Sequence, residues 1–183
     1  MSAPYLIGVT GASGSIYARR LAEELKKKGH VVELVATEAG EQVIKYEKEQ
    51  ALFDLVDVVH NHKNFFSAPA SGTSKYSAMI LLPCSMGSLG KVAHGVGDNL
   101  LTRAADVFIK EKRKLIIAGR EMPYNEFHLE NMTRLAKAGA IVMSASPFFY
   151  YHPTSMEDLV NSVVGKVLDQ LEIEHDLYKP WMQ

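Results

Sequence analysis

The feature that most constrains this chain is the alternation of short apolar runs with longer amphipathic segments. Residues 5–10 form an apolar run followed by Gly11 and Gly14; Tyr17, Leu21 and Leu25 then recur beside Arg19, Arg20, Glu23, Glu24 and Lys26, until Gly29 ends the pattern. Apolar positions four residues apart on a charged background make one helical stripe, and a glycine just beyond it closes a helix. Residues 31–36 are apolar again, so the first fifty residues read as a βαβ unit with parallel strands. The same reading places buried strands at 78–82, 114–118 and 140–143, and helices at 38–47, 88–94, 99–110, 128–138 and 156–171. Strands alternating with helices in this way build a three-layer α/β fold, doubly wound and Rossmann-like (flavodoxin-like), with a mainly parallel sheet. Residues 61–76, with Pro69, Gly72 and several serines and threonines, break the alternation and read as a surface loop.

Composition narrows the function classes. The 183 residues, 47% hydrophobic, can bury a sizeable core and read as one domain over 1–183. No run reaches the roughly 18 apolar residues of a membrane span, and the start, MSAPYLIGV, lacks the basic opening of a secretory leader; a cytoplasmic protein without a membrane role is expected. A net charge of -1 argues against a broad nucleic-acid footprint. The single cysteine, Cys84, excludes an intrachain disulfide and reads as a small buried hydrophobe. The seven histidines lack metal-ligand spacing, so no metal site is expected, and His60 and His62 read as surface residues.

In open α/β sheets ligands bind beyond the carboxyl ends of the strands. The residues in those places are Thr10 to Gly14, Thr37, Cys84 to Ser88, and Arg120 with Glu121. The middle third also concentrates Ser85, Ser88, Asn99, Arg103, Lys110, Arg120 and Glu121 around apolar strands, a pattern expected of an anion site. The two glycines of the first turn permit close backbone approach, and the following helix offers N–H groups to a phosphate or flavin edge. The turn lacks the full G-x-G-x-x-G fingerprint, and Glu38 is the one acid close after the second strand, which disfavours ordinary dinucleotide binding.

Nine segments, in one order along nearly the whole chain, carry a more specific resemblance: TGASGSIY at 10–17, PASGT at 69–73, PCSMGSL at 83–89, DNLLTRAADV at 98–107, KEKRKL at 110–115, REMP at 120–123, HLENM at 128–132, FYYHP at 149–153 and DLV at 158–160. Together they resemble the UbiX-type flavin prenyltransferases. The resemblance implies an enzyme that joins the dimethylallyl group of dimethylallyl monophosphate to N5 and C6 of reduced FMN, making prenylated FMN for a UbiD-type decarboxylase. It implies flavin-binding roles for Gly11, Ala12, Ser13, Thr37, Ser85, Met86, Gly87, Ser88, Arg103 and Arg120. Tyr150 and Lys166 match the positions that hold the allylic phosphate, and Ser13, Glu47, Lys110, Glu121 and Trp181 match further active-site positions. It also implies a homo-oligomer, a dodecamer with the flavin at a subunit junction, and the segment of about 172–183 packing over the active site or a neighbouring subunit.

The chemistry suits these residue types. Breaking an allylic C–O bond leaves phosphate and a delocalised cation, which calls for fixed positive charge from Lys110, Arg120 and Lys166. Soft electron density from Trp181 and Tyr150 would stabilise the carbon fragment. Proton loss at C6 needs a base, for which Glu47, Glu121 and the departing phosphate are candidates, and Ser13 could relay a proton at N5. The acids Asp54, Asp57, Asp98 and Asp106 are scattered, with no DDxxD-like run to hold Mg²⁺, so a metal-independent reaction on a monophosphate is expected. Lys166 stands where many relatives have arginine, and Glu38 where a lysine is common; the Glu38 side chain is expected to face solvent. Two alternatives share the fold, a flavin-dependent cysteine decarboxylase and a non-catalytic FMN carrier. The first depends on an early histidine and an Asn-rich signature, where this chain has Ser13 and REMP; the second would lack Lys110, Tyr150 and Lys166, which are present.

Overall fold

The computed structural model describes residues 3–182, and within it the elements run β1 (Tyr5–Val9), α1 (Ser15–Lys27), β2 (Val32–Ala36), α2 (Glu38–Tyr46), α3 (Ala51–Leu55), β3 (Val58–His60), β4 (Ala78–Cys84), α4 (Met86–Ala93), α5 (Leu100–Lys110), β5 (Leu115–Gly119), α6 (Glu126–Lys137), β6 (Ile141–Ser144) and α7 (Met156–Leu171). The six strands lie in the order β3-β2-β1-β4-β5-β6, and every neighbouring pair is parallel. The α/β expectation holds, with the sheet parallel throughout. The order reverses between β1 and β4, and a crevice opens there at the carboxyl ends.

Both faces of the sheet are covered, which is why β4 reads as an unbroken apolar run rather than an alternating one. One face packs Ile7, Val9, Leu34 and Ile80 against Leu21 and Leu25 of α1 and Val164, Val167 and Leu168 of α7. The other packs Leu6, Met79, Leu81 and Ile117 against Leu89 of α4, Leu101, Ala105 and Phe108 of α5, and Leu135 of α6. Phe108 has no solvent exposure, and cutting such a ring back to alanine costs about 3–5 kcal/mol. Capping boxes start three helices, from Asn99 to Thr102 in α5, Asn125 to His128 in α6 and Ser155 to Asp158 in α7.

The structure corrects the sequence reading in several places. The chain between α2 and the loop holds α3 and the edge strand β3, neither of which was expected, and a 3-10 turn at Ala68–Ala70 interrupts the loop. His60 and His62 are not surface residues: their side chains are 10% and 15% exposed. The Glu33 Oε2 accepts from His60 Nε2 at 2.7 Å and from the Tyr76 hydroxyl at 2.5 Å, which pins the end of the loop to β2 and β3. Burial, with the Glu33 carboxylate beside it, pushes the Tyr76 hydroxyl far above the ordinary tyrosine range. Beyond α7 the chain runs back over the first face of the sheet, where Ile173 and Leu177 pack against the core. Of the ends considered above, Met1, Ser2 and Gln183 lie outside the described residues. Among the described residues no helix is long and apolar enough to cross a membrane.

Candidate active site

Thr10 ties the two sides of the crevice together. Its hydroxyl donates to the Pro83 carbonyl at 3.1 Å and accepts from the Ser85 N–H at 2.6 Å, reinforcing the main-chain bond from Thr10 N to the Pro83 carbonyl between the carboxyl ends of β1 and β4. The turns on either side are capped by short hydroxyls: Thr37 Oγ1 accepts from Gly40 N at 3.1 Å and Ser85 Oγ from Ser88 N at 3.4 Å. Gly11 lies against α2, where an added Cβ would meet Ala39 Cβ at 2.8 Å, so only glycine lets the first turn run this close. Gly11, Thr37, Ser85 and Ser88 line one cavity of about 460 Å³, together with His62, Lys63, Lys91, Asp98 and Asn99. Lys91 and Asp98 pair at 2.5 Å on its wall. Glu38 is exposed, as expected, and is also on the cavity's rim.

The start of α1 is not open in the way the sequence suggests. Gly14, at φ 114°, carries no side chain to cap the helix, and the carboxylate of Glu47, just past α2, does so instead. It accepts from Gly14 N at 3.0 and 3.1 Å, from Ser15 N at 2.8 Å and from Ser15 Oγ at 2.6 Å. Burial works to raise the Glu47 carboxyl, but hydrogen bonds from the Ser13 and Ser15 hydroxyls and the two amides outweigh it, so it stays below the ordinary glutamate range. A carboxylate engaged in this way shapes the turn and is a poor proton acceptor.

Arg120 and Glu121 follow β5. Arg120 N donates to the Cys84 carbonyl at 3.1 Å and Arg120 Nε to the Ser13 carbonyl at 3.2 Å, which brings the guanidinium over the first turn. Both residues line a second cavity of about 390 Å³ with Ser144 and Ala145 at the end of β6. Ser13 and Gly87 are exposed, whereas Ala12 and Met86 are buried and can offer a ligand their backbone. Cys84 is fully buried, and burial pushes its thiol up to about 12, which agrees with a packing role.

Tyr150, Lys166 and Trp181 meet in a third cavity, of about 620 Å³, between α7 and the C-terminal segment. The Tyr150 ring stacks on Phe148 at 4.7 Å and meets Trp181 edge to face at 5.2 Å.

Arg103 and Lys110 stand apart. Arg103 donates from Nε to the Ala70 carbonyl at 3.3 Å and pairs with Asp106 at 2.9 Å, which holds the loop against α5. Lys110 pairs with Glu111 at the far end of α5, and eleven residues of helix carry it roughly 16 Å from the crevice toward the amino ends of the strands. One chain therefore gathers Gly11, Thr37, Ser85 and Ser88, sets Ser13, Arg120 and Glu121 beside them, and leaves Lys110 out of reach. His62, Lys63, Lys91 and Asp98 were missed as crevice residues. Lys91 was the legible one, three residues after Ser88 and so on the same helical face.

The chain matches the family model described as Flavoprotein over residues 2–168. Over 97% of its length it is 46% identical to the flavin prenyltransferase UbiX of Halalkalibacterium halodurans, covering 92% of that protein. It is 44% identical over 96% to the one from Methanocaldococcus jannaschii, covering 97% of it. It superposes on the crystal structure of AnUbiX in complex with FMN and dimethylallyl pyrophosphate with a TM-score of 0.96 at 32% identity, covering 100% of this chain and 99% of that one. A dodecameric FMN-dependent UbiX-like decarboxylase from Escherichia coli gives 0.94 at 35%, covering 98% and 100%. The peptidyl-cysteine decarboxylase EpiD, at 21% identity and a TM-score of 0.67, shares the fold alone. The chain belongs to the flavoprotein family and, within it, to the UbiX flavin prenyltransferases.

Proposed function

We propose that this protein is a flavin prenyltransferase that transfers the dimethylallyl group of a dimethylallyl phosphate ester to N5 and C6 of reduced FMN. The observation that carries the reading is the crevice at the β1–β4 switch point, where Gly11, Thr37, Ser85 and Ser88 converge. Its donor set fits FMN: close glycine backbone, three short hydroxyls, and the cations Lys63 and Lys91 for a phosphate dianion. Reduced FMN is the acceptor substrate, and its N5 and C6 supply the nucleophilic centres.

The protein's own groups have separable tasks. Tyr150 and Lys166 hold the allylic phosphate, and Trp181, edge to face with Tyr150, lies where a delocalised cation would be stabilised by an aromatic wall. Arg120, held over the first turn through the Ser13 carbonyl, balances anionic charge at the flavin edge. Of the two carboxylates, Glu47 is committed to the start of α1, so Glu121 and the departing phosphate are left as acceptors of the C6 proton. Ser13, beside the Glu47 carboxylate, is assigned the relay of a proton at N5.

The ester is read as the monophosphate and the reaction as metal-independent, since three of the four scattered aspartates are employed elsewhere: Asp57 on Lys26 and Val32 N, Asp98 on Lys91, Asp106 on Arg103. Lys110 is assigned to the site of a second copy, because within one chain α5 holds it at the opposite end of the strands. A homo-oligomer follows from that assignment, a dodecamer by family resemblance. Residues 1–183 act as one flavoprotein domain in the cytoplasm, and the product goes to a UbiD-type decarboxylase.

The test is anaerobic incubation of the protein with reduced FMN and dimethylallyl monophosphate, followed by mass spectrometry of the extracted flavin. A gain of one C5 unit, diminished in Lys110→Ala and Glu121→Gln, is expected. Flavin recovered unchanged from folded, flavin-loaded protein would overturn the reading and move the search to cysteine decarboxylation.

A further inference from the structure

Three hydrogen-bond donors from two parts of the chain converge on one carboxylate in the α7 cavity. Asp169 Oδ2 accepts from Lys166 Nζ at 3.1 Å and from the Tyr178 hydroxyl at 2.5 Å, and Asp169 Oδ1 from His175 Nε2 at 3.2 Å. The Leu177 N–H donates to His175 Nδ1 at 3.2 Å, which leaves the ring proton on Nε2, pointing at Asp169. His175 is 6% exposed, so its orientation is set by packing as well as by these bonds.

A second feature makes the convergence possible. An added Cβ on Gly165 would lie 2.5 Å from the Tyr178 ring and 2.8 Å from the His175 ring. The residue next to Lys166 is therefore a glycine-shaped seat on which the C-terminal segment lands, and Tyr178 in turn meets Phe148 edge to face at 5.0 Å. Burial works to raise the Asp169 carboxyl, yet the bonds from Tyr178, Lys166 and His175 outweigh it and keep it ionised below the ordinary aspartate range.

We propose that Asp169 is a positioning residue for the allylic-phosphate site, fixing the Lys166 ammonium within a clasp that also holds Tyr178 and His175. The proposal rests on the reading of Lys166 as a phosphate ligand. A lysine is a point charge on a flexible four-carbon stem, unlike the planar arginine fork, so it needs an external partner to hold it in place before the substrate arrives. Lys166 Nζ keeps further donors for a phosphate oxygen while one stays on Asp169. The same clasp orders the segment that carries Trp181 onto Tyr150, so the phosphate site and the aromatic wall are built together. Asp169 also opposes the incoming phosphate as a like charge, and whether positioning or repulsion dominates sets the sign of the test.

The experiment measures KM for dimethylallyl monophosphate, kcat for prenylated flavin and the Kd for FMN in the full-length protein, with Lys166→Ala, Asp169→Asn, Asp169→Glu and Tyr178→Phe as variants. Positioning predicts that Asp169→Asn raises KM about tenfold, the loss of one charge-assisted contact, with kcat and FMN Kd within about twofold, limits that separate a substrate-positioning effect from global damage. Asp169→Glu should recover most of the loss. An unchanged KM overturns the proposal, and a lowered KM overturns it in favour of repulsion. If Asp169→Asn does not fold, Tyr178→Phe keeps the ring and removes one arm of the clasp; a raised KM supports the proposal and an unchanged one overturns it. Loss of prenylation in the wild type, or an unaltered KM in Lys166→Ala, would instead remove the reading on which the proposal stands, and the proposal with it.

Discussion

Replacing Glu47 by glutamine isolates the carboxylate that caps α1. The wild-type side chain accepts two backbone N–H groups, from Gly14 and Ser15, and the Ser15 hydroxyl at 2.6 Å, and among the described residues no other side chain caps this helix start. Glutamine keeps the shape and one acceptor oxygen, loses the charge, and turns an NH₂ group toward donors. The lost attraction to the helix N-terminus is worth about 0.3–2 kcal/mol, and weakening charge-assisted bonds to neutral ones about 1 kcal/mol more. Glu47 is half-buried, so solvent screens part of this, and a loss of about 2 kcal/mol at neutral pH is the working figure. For a chain of this length that is about 4–8 °C in Tm. The sign of the pH dependence follows from the lowered carboxyl: the stabilisation is fully present above the unfolded-state value near 4.5 and is lost as pH falls through the lower folded value. Urea unfolding of flavin-free wild type and Glu47→Gln, at pH 7 and at successive steps below 4.5, reads both quantities. A difference under about 0.5 kcal/mol at pH 7, where surface substitutions lie, or one that persists undiminished at the acid end, would refute the reasoning.

Cys84 should resist iodoacetamide at pH 8 in the folded protein, since a buried thiol pushed up to about 12 presents almost no thiolate; rapid carbamidomethylation seen by mass spectrometry, without unfolding, would contradict this. Asn99→Ala removes the cap that accepts from Thr102 N at 3.0 Å and should lower stability by about 1 kcal/mol, read as a fall of a few degrees in Tm. Prenylation should survive EDTA, and a complete loss that Mg²⁺ restores would refute the metal-independent reading.

The sequence was most legible where burial and local pattern agree. β1, β2, β4, β5 and β6 were placed to within about two residues because helices cover both faces and their apolar runs stand out against charged helices. α7 was read over 156–171, the bounds it takes. β3 was not legible: three residues at an exposed edge, with Val58 and Val59 facing solvent, give no period to read. The burial of His60 depends on Glu33, 27 residues earlier and across a strand pairing. In the site, the strand-end rule found Gly11, Thr37, Ser85 and Arg120, since topology alone puts them there. It could not show that Glu47 would occupy the start of α1, nor that α5 would carry Lys110 to the opposite end of the strands. Both depend on which way a helix runs against the sheet, and the segments of a motif do not record that.

Joining two phosphate esters through carbon sets a problem that this arrangement addresses. FMN and the allylic substrate each bring an anion, and a single anion site would make them compete. On the proposed reading the chain provides two, with no lining residue in common: the crevice with Thr37, Ser85, Ser88 and Lys91, and the α7 cavity with Tyr150 and Lys166. They are also built differently. The crevice depends on backbone turns and hydroxyls fixed by the sheet, which suits an acceptor that must be held rigidly. The α7 cavity depends on a lysine and a C-terminal segment held through Asp169, which suits a fragment that must be enclosed and then released as phosphate. Arg120 stands over the first turn, between Ser13 and the end of β6, where its charge can act on the flavin edge without belonging to either phosphate. On that reading, separate anion sites let the two phosphates bind at once without competing.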